Sequence, residues 1–91
     1  MKSIMQDDDR CYVCGRRAGL EIHHVLGGVA NRKLSEKYGL KVKLCKGCHT
    51  GKGGAQYEFE LNQRLKREAQ EAFEKIHSHD EWMQVFRKNY L

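Results

Sequence analysis

The stretch LKVKLCKGCH, residues 40–49, joins an alternating apolar segment directly to a metal-binding pattern. Leu40, Val42 and Leu44 alternate with lysines, and this period of two predicts a half-buried β-strand. The strand leads into Cys45-Lys46-Gly47-Cys48, a CxxC turn that points two sulfur atoms at one centre. The stretch therefore predicts a small sheet that ends at a bound metal ion.

A matching CxxC turn lies upstream, with thirty residues between the two turns. Two such turns complete the tetrahedron that zinc prefers, so the sequence predicts one zinc ion held by four thiolates. The predicted zinc ligands are Cys11, Cys14, Cys45 and Cys48. A thioredoxin-like redox site is not favoured, because no βαβ pattern surrounds either turn. A site closed by four cysteines stabilises the fold and performs no chemistry, which suits a chain of 91 residues with a small core.

The remaining sequence predicts a single α+β domain. Residues 1–10 are polar and predict a frayed leader, and residues 11–91 form the domain, with a core at 11–56 and a helical extension at 57–91. Leu20-Glu21-Ile22 predicts a second strand, and residues 27–39 predict a loop with a helical turn that Gly39 closes. Two C-terminal helices are indicated by an apolar stripe and by a Ser78–Glu81 capping box. The stripe consists of Leu61, Leu65, Ala69, Ala72, Phe73 and Ile76.

The net charge of +5 is unevenly distributed along the chain. Residues 10–54 carry ten Lys and Arg against two Glu, whereas the two flanking segments are slightly acidic. Such a basic segment indicates a polyanionic partner, and solubility is the alternative explanation. No apolar run approaches the ~18 residues of a membrane helix and no signal-like N-terminus is evident, so we expect a cytoplasmic protein with no membrane partner.

Three histidines lie next to the cysteine turns. His23 and His24 are adjacent, and neighbouring side chains of a strand point to opposite faces. His49 follows Cys48 directly, so the zinc would bring the histidine-bearing segments together. One histidine of the pair can then share a second metal with His49, while the other faces a water near that metal. Two alternatives remain open: His49 as a zinc ligand in place of a cysteine, and the pair as surface or packing residues.

The arrangement CxxC–HH–loop–LCxxCH resembles the zinc-knuckle HNH endonucleases, which have a ββα-metal (His-Me finger) active site. The stretches HHVLGG, NRKLSEKYGL, LCKGCH and FRKNYL are similar to a phage-borne subgroup related to recombination-enhancement, RecA-dependent nucleases. The resemblance extends over roughly residues 11–91. It implies a ββα-metal core stapled by the four-cysteine zinc site, DNA as partner, and a recombination or phage packaging protein as a further partner.

The resemblance also implies roles for individual residues. His23 and His49 would bind the catalytic metal, His24 would deprotonate the attacking water, and His49 would open the active-site helix. The implied metal is Mg²⁺ or Mn²⁺, although imidazole ligands favour Zn²⁺, Ni²⁺ or Co²⁺. The chain departs from the family in carrying Gln56 where relatives often carry histidine, and in having Asn31 as its nearest asparagine to the family's middle position.

Basic residues near the cysteine turns are predicted to contact phosphates. Such contacts supply salt-dependent affinity with little sequence preference. These residues are Arg16, Arg17, Arg32, Lys33, Lys46 and Lys52. The sequence thus predicts a metal-dependent DNA endonuclease that nicks with low sequence specificity. The alternatives are a non-catalytic zinc-dependent DNA-binding module and a zinc-stapled protein-interaction domain.

Overall fold

The computed structural model describes residues 2–51, 53–56 and 58–91. Within these residues the chain is a small α+β protein with a two-stranded antiparallel sheet and four helices, which confirms the predicted fold class at this level. The elements are β1 Leu20–His24, α1 Val29–Tyr38, β2 Lys41–Cys45, α2 Lys46–His49, α3 Phe59–Glu74 and α4 His79–Phe86. No helix in the described part of the chain is long and apolar enough to cross a membrane.

The two predicted strands pair antiparallel, from Leu20 opposite Cys45 to His24 opposite Lys41. This register extends β1 through both histidines, two residues beyond the alternating apolar segment. Between the strands the structure has a ten-residue helix, α1, which is longer than the single turn expected. The helix ends at Gly39 with φ 72°, the left-handed conformation that glycine adopts without steric cost.

The N-terminal segment lies along β2, in contrast to the frayed leader expected from its polar composition. The Ile4 amide donates to the Gly39 carbonyl at 2.9 Å, and the Lys43 amide donates to the side-chain oxygen of Gln6 at 2.8 Å. Ser3 donates to the Lys41 carbonyl, and Ile4 packs against the core. A side chain at position 39 would collide with the backbone of this segment, so the glycine is needed there for a second reason.

The helical extension packs through the predicted apolar stripe, of which Leu65, Ala69 and Phe73 are fully buried. Trp82 of α4 packs edge-on against Phe73, with ring centroids 5.3 Å apart. Ile76 was predicted to belong to the stripe but is 61% exposed, because α3 ends at Glu74. The capping box of α4 is present as predicted.

Three hydrogen bonds that the sequence patterns did not predict connect α3 to the first cysteine turn and to the C-terminal segment. The Tyr12 hydroxyl donates to Glu68 at 2.8 Å and so links the first cysteine turn to α3. Gln70 of α3 is fully buried although its side chain is polar. Its amide bonds to Asn89 at 2.8 Å and accepts from the backbone of Tyr90 at 2.7 Å, which holds the C-terminal segment against α3.

Candidate functional site

The four cysteines form a group suited to a metal ion. Their sulfur atoms all lie within 4.8 Å of one another, and those of Cys14 and Cys45 are 3.6 Å apart. A tetrahedral zinc with Zn–S bonds of ~2.3 Å would place its sulfurs about 3.8 Å apart, so the arrangement fits zinc. The four cysteines are free thiols. The site that the two CxxC turns predicted is therefore present as a candidate metal site.

This group contains no histidine, and its geometry explains why. Cys45 ends β2 and Cys48 lies in α2, a single helical turn that ends at His49. The ring of His49 bonds to Glu21 and Gln56 rather than joining the sulfur atoms. The resemblance implied that His49 opens the active-site helix. Instead it is the last residue of a short helix, and the long helix α3 begins ten residues later.

The strand β1 separates the paired histidines as expected. His23 is 8% exposed and its ring lies edge-on to that of His49, with centroids 5.1 Å apart. His24 takes no part in that ring contact and bonds to Glu36 of α1. The structure therefore brings His23 and His49 together and holds His24 on separate contacts.

His23 has an unusual environment for a histidine. Its Nε2 atom is buried and, within the described part of the chain, has no hydrogen-bond partner. Burial and, to a smaller extent, the neighbouring His49 lower the pKa of His23 to about 4. The ring is therefore neutral at physiological pH. A buried ring nitrogen without a partner is costly, and a metal ion bound there would remove that cost.

His49 is held by one contact on each ring nitrogen. Its Nδ1 lies 3.0 Å from Oε1 of Glu21, and its Nε2 lies 3.3 Å from the amide nitrogen of Gln56. A carboxylate only accepts hydrogen bonds, so Glu21 fixes the proton on Nδ1, and Nε2 carries the lone pair that accepts from the Gln56 amide. Metal-binding histidines usually carry such a carboxylate on the far nitrogen.

The three histidines line one cleft, which has a volume of about 490 Å³. Its polar lining comprises His23, His24, Arg32, His49, Gln56, Asn62 and Lys66, and we call it the histidine cleft. The backbone of Gly27 and Gly28 also borders it, where the chain leaves β1. The histidine cleft therefore combines imidazole rings, side-chain amides and cations, a set that can bind a metal ion together with a phosphate.

Of the predicted phosphate contacts that the structure describes, one lines the histidine cleft and the others lie elsewhere on the surface. Arg32 lines the histidine cleft, while Arg16, Arg17, Lys33 and Lys46 are exposed residues that are not part of its lining. Lys52 lies outside the described residues. Lys66 also lines the cleft. No sequence pattern identified this residue, because its position at the cleft depends on how α3 packs.

As a candidate metal site, the histidine cleft is less complete than the cysteine group. Within the described residues, the four cysteines are the only set of three or more His, Cys, Asp or Glu side chains whose ligand atoms lie within 4.8 Å of one another. Beside the His23–His49 pair, the histidine cleft offers neutral amides such as that of Gln56, which are poor ligands for transition metals. Comparison with protein-family models, curated proteins and solved structures finds no match for this chain.

The contact between Glu21 and His49 yields a testable expectation. Glu21→Ala should weaken binding of Mn²⁺ or Ni²⁺ to zinc-loaded protein by about 10–100-fold, the usual cost of removing a residue that orients a metal-binding histidine. Isothermal titration would measure this. Glu71→Ala, which removes an exposed carboxylate of α3, is the control and should leave the affinity unchanged. Equal affinities for the Glu21 variant and wild type would rule out His49 as a ligand oriented in this way.

Proposed function

We propose that this chain is a metal-dependent HNH-type DNA endonuclease with a ββα-metal core, which nicks DNA with low sequence specificity. The observation that supports this most directly is the buried, unpartnered Nε2 of His23, a residue of the histidine cleft that also holds His49 and the cations Arg32 and Lys66. Phosphodiester hydrolysis needs a metal-binding group, a base and positive charge near the phosphate, and the cleft contains candidates for all three.

The proposed roles follow from the contacts of each side chain. His23 and His49 hold the metal, and Glu21 orients His49 through its Nδ1. A divalent ion held there, Mg²⁺ or Mn²⁺ in the proposal, would stabilise negative charge on the scissile phosphate and the leaving oxygen. His24 takes the proton from the attacking water. Arg32 and Lys66 attract the phosphate at the rim of the cleft. The products would be a 5′ phosphate and a 3′ hydroxyl.

Lys66 has properties that suit a phosphate contact. Partial burial lowers the pKa of its ammonium group, and the neighbouring Lys88 adds to this effect. Its ammonium lies 5.5 Å from the centre of the Tyr90 ring, which holds the side chain at the cleft. A bound phosphate would supply the negative charge that a partly desolvated lysine lacks.

A substitution at this position should separate a phosphate contact from general surface charge. Lys66→Ala should weaken binding to duplex DNA and reduce the slope of log affinity against log salt concentration by about one. Lys75→Ala removes an exposed lysine at the far end of α3 and should change that slope less. Fluorescence anisotropy at several salt concentrations measures both variants. Equal slopes for Lys66→Ala and wild type would exclude a phosphate contact at Lys66.

The second candidate function is a non-catalytic zinc-dependent DNA-binding module. It is favoured by the incomplete ligand set, since His23 and His49 do not belong to any group of three or more close His, Cys, Asp or Glu ligands among the described residues. The decisive experiment incubates zinc-loaded protein with supercoiled plasmid and Mg²⁺, Mn²⁺ or Ni²⁺ in turn. Open-circular plasmid formed in the presence of at least one of these metals supports the endonuclease. DNA binding without nicking in any of them supports the module instead.

A further inference from the structure

Glu36 joins the two residues that lie opposite each other at one end of the sheet. Its Oε2 lies 2.9 Å from Nε2 of His24, and its Oε1 accepts from Nζ of Lys41 at 2.8 Å. His24 is the last residue of β1 and Lys41 is the first of β2, and the two are partners in the strand register. Both oxygens of the carboxylate are therefore engaged by neighbouring strands.

The helix that carries Glu36 is itself fixed to the end of β1. The buried hydroxyl of Ser35 donates to the carbonyl of Leu26 at 3.0 Å and accepts from its amide at 3.2 Å. The Leu40 amide then donates to the carbonyl of Ser35 at 2.8 Å, where the chain enters β2. Glu36 follows Ser35 directly, so its backbone is held at a set distance from both strands.

The carboxylate determines which nitrogen of His24 is available. The hydrogen bonds from Lys41 and His24 lower the pKa of Glu36 to about 2, so the group is ionised and only accepts hydrogen bonds. Nε2 of a neutral His24 must then carry the proton. In the described part of the chain no protein group bonds to Nδ1 of His24, and His24 lines the histidine cleft.

We propose that Glu36 is a positioning residue that holds His24 in the tautomer protonated on Nε2, with Nδ1 as its proton acceptor. The assignment of Nδ1 to the attacking water rests on the proposed endonuclease function, while the tautomer itself does not. The neutral imidazole has two tautomers, and a fixed hydrogen bond to one nitrogen selects between them. Glu21 and Glu36 thus select opposite tautomers, which places the acceptor lone pair on Nε2 of His49 and on Nδ1 of His24.

The test is a long-range ¹H–¹⁵N correlation spectrum of the histidine rings in zinc-loaded protein, recorded at about pH 8, where imidazoles with an ordinary pKa of ~6.5 are neutral. The His24 signals are those missing from a His24→Gln variant. In wild type, Nδ1 should show the shift of an unprotonated nitrogen and Nε2 that of a protonated one. In Glu36→Ala the two shifts should move toward each other as the tautomers mix.

Two further variants test whether this effect is specific. Lys41→Met leaves the contact between Glu36 and His24 in place and should keep the wild-type tautomer. Glu74→Ala removes a carboxylate that lies 2.9 Å from His79, far from the cleft, and should change the ring shifts of His79 alone.

In a nicking assay Glu36→Ala should lower kcat about 10–100-fold with little change in KM, while Glu36→Gln, whose amide oxygen accepts from Nε2, should recover part of the loss.

The outcomes separate this inference from the proposed function. A wild-type His24 protonated on Nδ1 would overturn the inference whether or not the protein nicks DNA. Unchanged ring shifts or unchanged kcat in Glu36→Ala would overturn it as well. A wild-type protein that fails to nick, but whose His24 loses its tautomer in Glu36→Ala, would contradict the endonuclease and support the positioning role of Glu36.

Discussion

Replacing Cys45 by serine should leave the chain largely unfolded at physiological temperature. Apparent binding energies of structural zinc are about 10–16 kcal/mol in small zinc domains. The whole stability of a domain is usually only about 5–15 kcal/mol. Cys45 is 4% exposed, lies in the same buried cluster as Cys11, and joins β2 to α2. Serine has the same shape but offers no thiolate, so the zinc should be lost together with this junction.

The measurement is zinc content per chain, followed by thermal unfolding monitored by circular dichroism. Wild type should contain one zinc per chain and unfold cooperatively, and a chelator should abolish that transition until zinc is restored. His79→Ala, an exposed substitution in α4, should bind zinc and unfold as wild type does. A Cys45→Ser variant that unfolds at the wild-type temperature without zinc would show that the cysteine group does not hold the fold together.

The features predicted from the sequence are those encoded by residues close together in the chain. The two CxxC turns, the alternation at residues 40–44, Gly39 at the end of α1 and the Ser78–Glu81 capping box each act within a few residues. Their outcome depends little on the rest of the fold. For this reason the positions of the strands, the end of α1, the start of α4 and the cysteine group agree with the expectations.

The features that the sequence did not predict depend on distant partners. Glu36 contacts a residue twelve positions away, Glu21 one twenty-eight positions away, and Gln6 one thirty-seven positions away. A charged or amide side chain on a helix or strand looks the same in sequence whether it faces water or a partner. One signal was available for Glu21, since residues two apart on a strand share a face and His23 already marked that face.

Removing the imidazole of His24 should suppress nicking without removing the metal. A general base typically contributes about 10²–10⁴-fold to the rate, so His24→Ala should lower kcat by that amount. Its Nε2 is bonded to Glu36, and the ring contact between His23 and His49 does not involve His24, so the proposed metal-binding pair should keep its geometry. Plasmid nicking at saturating DNA and metal concentrations measures the loss.

Comparison with His23→Ala distinguishes the loss of the proposed base from the loss of a proposed metal ligand. His23 is the buried residue with an unpartnered Nε2, so its removal should weaken Mn²⁺ or Ni²⁺ binding as well as nicking. His24→Ala should retain wild-type affinity for both metal and DNA, and His79→Ala should match wild type in every assay. Undiminished nicking by His24→Ala would reject His24 as the base. A fall in metal affinity for His24→Ala as large as that for His23→Ala would instead make both residues metal ligands, and the proton acceptor would then have to be sought elsewhere in the histidine cleft.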